Sequence, residues 1–77
     1  MEKFKGLNDA IRASIEKVNE TAQVIESIEQ KIRDGEITVD SIGEIQLSAL
    51  RKMHQRYIND VETYKADLEF FKSIENL

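Results

Sequence analysis

The segment KIRDGEITVDSIGE, residues 31–44, interrupts a chain that is otherwise patterned as helix. Gly35 follows Lys31, Arg33 and Asp34, the order expected of a left-handed helix stop with basic side chains beside the last carbonyls. Downstream, Ser41 and Glu44 have the spacing of a capping box, while Thr38 as an earlier cap would let Ile37 staple onto Ile42. One helix therefore ends near residue 34, and a second begins between 38 and 42. Gly43 falls in the first turns of that second helix, at a cost of about 1 kcal/mol relative to alanine.

The same residues have the acid-rich look of half a calcium-binding EF-hand loop, which counting tests. Such a loop needs oxygen ligands at its positions 1, 3 and 5, glycine at 6 and a bidentate Glu at 12. Placing Gly35 at position 6 puts Gln30 at 1, Ile32 at 3 and Ser41 at 12. Ile32 has no oxygen to give and Ser41 no bidentate carboxylate. The segment is a turn in this reading, and no metal or cofactor is expected.

On either side of the turn runs a heptad seam. Before it, Phe4, Ile11, Val18, Ile25 and Ile32 recur every seventh residue, with Leu7, Ser14, Thr21 and Ile28 three residues after the first four. After it, Leu47, Leu50, His54, Tyr57, Val61, Tyr64, Leu68 and Phe71 alternate by three and four. The first seam holds small side chains at Ser14 and Thr21; the second holds bulky ones at Tyr57, Tyr64 and Phe71. Folding the helices back on one another with facing residue numbers adding to about 78 sets Leu7 by Phe71, Ser14 by Tyr64, Thr21 by Tyr57 and Ile28 by Leu50, so that small faces large in the central layers. A slip of one heptad would oppose Ser14 to Tyr57 and Thr21 to Leu50 instead. His54 then faces Ile25 and reads as a register-setting polar residue rather than a ligand. The expected fold is all-α: one antiparallel, coiled-coil-like hairpin over residues 1–77, with helices over about 3–34 and about 41–75 and a turn over about 35–40.

Composition agrees with long helices and narrows the functional classes. The chain has no proline, no cysteine, three glycines and one histidine, so neither a disulfide frame nor a Cys/His zinc site can be built. At 77 residues, stability must come from regular packing or from a partner. A net charge of -4 disfavours nucleic acid as the main partner, because phosphate repels an acidic surface. The start, MEKFKGLNDAIRAS, has two lysines but no apolar run behind them, so neither a secretory signal nor membrane insertion is expected. The expected compartment is the cytoplasm, and signal-less secretion through a dedicated apparatus is compatible with the same residues.

A two-helix hairpin covers one flank of each helix, yet apolar residues persist elsewhere: Ile15, Ala22 and Val24 before the turn, Met53, Ile58 and Ile74 after it. At the open end, Phe70, Ile74 and Leu77 recur at helical spacing, and the hairpin brings Phe4 and Leu7 to the same end. Of these, Phe4, Leu7, Phe70, Ile74 and Leu77, with Ile15, Met53 and Ile58, are the candidate partner-binding set, through which the hairpin would dimerise into a four-helix bundle or hold one protein partner. At the turn end, Lys31, Arg33, Arg51, Lys52 and Arg56 form a candidate anion-binding patch, interspersed with Asp34, Glu36 and Glu44. No phosphate-cradling glycine loop, dinucleotide fingerprint or nucleophile pair is present, so no enzyme is expected.

Two resemblances follow from particular stretches. LSALRKMHQRY, residues 47–57, resembles the signature helix of the small sporulation aspartyl-phosphate phosphatases at Ser48, Leu50 and Tyr57. Arg51 stands where that family's core has its acid, so the resemblance implies no phosphatase activity. The helix, turn, helix layout and the C-terminal YKADLEFFKSIENL are similar to type III secretion needle subunits and their hairpin co-chaperones, although the prolines that mark the needle turn are missing here. The expectation is a non-enzymatic interaction or assembly module that self-associates through helical faces. The alternatives are a secretion-associated or phage-type accessory protein that binds one partner, and a weak phosphate or nucleic-acid binder acting through the turn-end basic residues.

Overall fold

The computed structural model describes residues 3–75. Two helices, α1 (Lys5–Arg33) and α2 (Ser41–Glu75), pack along one another, and the described residues contain no strand. The sequence reading sets these helices over about 3–34 and about 41–75.

The turn is closed by two capping devices. At the end of α1 the Gly35 N–H donates to the Ile32 carbonyl and the Glu36 N–H to the Lys31 carbonyl, the paired bonds of a Schellman stop. Gly35 takes the φ of 73° that this stop requires, a value that costs an L side chain dearly. At the start of α2 the Asp40 carboxylate accepts from the Gly43 N–H at 2.8 Å, and the Asp40 carbonyl accepts from the Glu44 N–H at 2.9 Å. The cap is therefore Asp40, where Ser41 or Thr38 was expected. Aspartate caps as well as serine, and its charge also meets the positive end of the helix dipole. With the cap at Asp40, the Ile37–Ile42 staple is not required, and both side chains are exposed.

Cross-helix pairs fix the alignment. Lys3 pairs with Glu75 at the open end, Thr21 with His54 in the middle, and Arg51 with Glu29 toward the turn. These pairs straddle the expected register, and the first and last are incompatible with the slip of one heptad. His54 departs in detail: its Nδ1 lies 2.6 Å from the Thr21 hydroxyl, one turn along α1 from Ile25, the residue expected to face it. The Thr21 oxygen lies 2.8 Å from the Lys17 carbonyl, to which its single proton is donated, so it accepts from the imidazole. An imidazole nitrogen seeks a hydroxyl before it seeks a methyl group.

Every seam position of α1 is at least partly covered, as are those of α2 from Leu47 to Leu68. Phe71 is the exception, at 47% exposure. A straight α-helix rotates by about 20° per heptad against a 3.5-residue repeat, and α2 runs three heptads from Leu50 to Phe71. That rotation carries the ring off the seam, and Leu68, 9% exposed, closes the core there instead. Thr21, at 8%, is the other buried side chain among the described residues. The result is a rod of 58 × 20 × 15 Å with a radius of gyration of 17.5 Å, against about 11.5 Å for a compact domain of this length. A two-helix layer has almost no interior.

Candidate interaction surfaces

The faces of the rod, rather than a cleft, are where its chemistry lies. The candidate partner-binding residues divide into two kinds. Phe4, Leu7 and Ile58 are half-covered, the first two at seam positions and Ile58 on its flank, whereas Ile15, Met53, Phe70 and Ile74 are exposed. Leu77 lies outside the described residues. The Lys3–Glu75 pair brings the two helix ends together, so Phe4 and Leu7 do share the open end with Phe70 and Ile74. Ile15 and Ile58 share a shallow groove of about 280 Å³ with Val18 and Val61, flanked by Glu62 and Lys65.

At the open end the Phe70 and Phe71 rings meet edge to face, with centroids 5.7 Å apart and planes at 64°. This is a favourable aromatic geometry. Phe70 nonetheless remains largely open to water, and Phe71 about half so.

The turn-end basic residues do not face one way. The Arg51 guanidinium crosses to α1 and donates to the Glu29 carboxylate at 2.7 Å. Arg33 donates to the Gln30 side chain at 2.7 Å. Lys52 is about 100° round the helix from Arg51, on the side of α2 turned away from α1, and Arg56 lies on that side as well. Lys31, in the last turn of α1, supports the helix stop through its carbonyl. Arg51 and Arg33 are thus engaged within the chain.

Sequence reasoning overlooked a stripe on the outer side of α2. Among the described residues Ile42 and Ile45 are the most exposed large apolar side chains, at 66% and 69%, and Ala49 and Met53 continue the line toward the middle of the helix. Ser41, Glu44, Ser48 and Lys52 border it with Ile45 and Ala49 in an open groove. The signal was present in the spacing of 42, 45, 49 and 53, which is helical and distinct from the seam. The staple reading of Ile42 and the flank reading of Met53 hide it.

No family model, curated protein or solved structure matches this chain.

Among the described residues no group of three or more His, Asp or Glu side chains converges as metal ligands would. No helix among them is long and apolar enough to cross a membrane.

Proposed function

We propose that this chain is a non-enzymatic interaction and assembly module, a hairpin that completes its core by associating with further copies of itself through its outer helical faces. The carrying observation is surface. The rod exposes 6076 Å², against about 4,800 Å² for a globular monomer of 8.9 kDa. The excess, about 1,300 Å², is larger than the roughly 800 Å² that each partner contributes to a standard protein interface. Much of this surface is apolar, with Ile42, Ile45, Phe70, Phe71 and Ile74 open to water. Isolated apolar side chains are ordinary on a surface, but rows of them at helical spacing on a chain this small mark a face made for a partner.

Two hairpins joined this way make a four-helix bundle, the architecture in which such amphipathic layers reach a stable core. A second reading, docking of one different protein on the open end, draws support from the paired and uncovered Phe70 and Phe71 rings. Anion binding has less support, because Arg51 and Arg33 are already engaged within the chain.

Sedimentation equilibrium over a concentration series separates these. A mass of two or more chains at micromolar concentration, falling on dilution, is the expected result. A folded monomer that persists at hundreds of micromolar refutes self-association and favours a different protein partner.

A further inference from the structure

On the outer side of α2, charge and hydrophobicity are arranged in order along the helix. At the turn end stand Ile42, Ile45, Ala49 and Met53; at the open end stand Phe70, Phe71 and Ile74. Along the same side the basic residues Lys52, just before Met53, and Arg56 precede the acidic residues Asp60 and Asp67. On a helix of 3.6 residues per turn all of these positions fall within a sector of about 100°, the width of an interface stripe. None of these four charged side chains has an ion-pair partner within the chain among the described residues. The order from one end to the other is apolar, positive, negative, apolar.

Such a stripe is complementary to itself when reversed. We propose that the outer face of α2 binds the same face of a second copy, antiparallel and two-fold symmetric, with the axis passing near residue 58. This rests on the self-association proposed above and adds to it the face and the direction. In that alignment Ile42 meets the second copy's Ile74, Ile45 meets its Phe71, and Ala49 leaves room for Lys52 to reach its Asp67. Arg56 meets the second copy's Asp60, and two-fold symmetry makes every one of these contacts twice. Parallel pairing would set Arg56 against Arg56 and Asp60 against Asp60, with like charges facing along the centre. The antiparallel direction satisfies the charges and covers both apolar ends. The stripe spans about 48 Å of helix, and the excess surface described above is ample for the area a stable interface buries.

Charge reversal provides the test, because Lys52, Arg56 and Asp67 are exposed, Asp60 is only half-covered, and helicity can be checked by circular dichroism. A copy carrying Lys52→Glu and Arg56→Glu, and another carrying Asp60→Lys and Asp67→Lys, should each self-associate at least about tenfold more weakly than the unaltered chain, whereas an equal mixture should regain the unaltered affinity. Direction is read from spin labels attached at Ser41→Cys or Ser73→Cys, since the chain has no cysteine of its own. Pairs of Ser41-labelled copies should give about 50 Å and pairs of Ser73-labelled copies about 45 Å, while mixing the two should add a distance under about 25 Å. Short distances between identically labelled copies would establish parallel pairing and overturn the proposal. A dimer that is indifferent to charge reversal would overturn it too, while leaving self-association through another face intact. A chain that is monomeric throughout removes both.

Discussion

Gly43 looks like a defect and should behave as a requirement. It sits in the first turn of α2, where helix propensity alone says that alanine is better by up to about 1 kcal/mol. A Cβ built there would lie 2.9 Å from Cγ1 of Val39 and 3.3 Å from the capping oxygen of Asp40. Val39 is β-branched and half-covered, so its methyl group cannot swing aside freely. Relief must come from shifting Val39, which is overpacking at about 1–3 kcal/mol, or from loosening the Asp40 cap, worth about 1 kcal/mol. Against the propensity gain, Gly43→Ala should cost about 1 kcal/mol net and lower Tm by about 4–8 °C in a domain of this size. Gly6→Ala is the control: nothing lies within 4 Å of its Cβ, so the substitution should be neutral or slightly stabilising. Thermal unfolding followed at 222 nm, all variants at one protein concentration because association raises Tm, measures both. A Gly43→Ala protein that melts higher than the parent would refute the close approach of Val39 and Asp40 to this turn.

Gly35→Ala should also destabilise, by about 1 kcal/mol, through backbone strain alone, since φ is 73° and no atom crowds the site; equilibrium urea unfolding would show the midpoint fall with the slope unchanged. Thr21→Val should cost about 1–2 kcal/mol by leaving the His54 nitrogen without its partner in a part-covered site, and His54→Leu made with it should recover much of that loss. A double-mutant cycle showing no coupling would remove the Thr21–His54 bond from the account. Arg51→Ala should cost less than about 1 kcal/mol, since its side chain is largely exposed, and the effect should shrink in 1 M salt.

The seams were legible because period is the strongest signal a sequence gives; pairing small with bulky residues gave a register near the observed one, although Thr21 meets His54 where Tyr57 was expected. What escaped was local. Asp40, Ser41 and Thr38 are all competent caps, and only the path of the chain between Gly35 and Gly43 decides which carboxylate or hydroxyl reaches the free N–H groups. Phe71 was assigned to the seam by a repeat of 3.5, whereas rotation accumulates along a long helix and turns a late position outward. His54 was placed by register alone, and a hydrogen bond one turn away overrode it. The outer stripe was missed because an apolar residue carries no label saying which face it serves. Ile42 and Ile45 became conspicuous only when the opposite helix was seen to leave them uncovered.

The cross-helix bonds join residues 22, 33 and 72 positions apart, in order from the turn to the open end. Each bond is cheap to close only after the one inside it has closed, because the remaining loop is then short. The molecule is therefore a zipper with its slider at Gly35, and thermal opening runs inward from Lys3 and Glu75. Amide hydrogen exchange along α2 should grade from fast near Phe71 to slow near Leu50. In the proposed antiparallel pair, each copy's last segment to open would lie along the other's first, so two rods that fray singly would clasp one another at both ends.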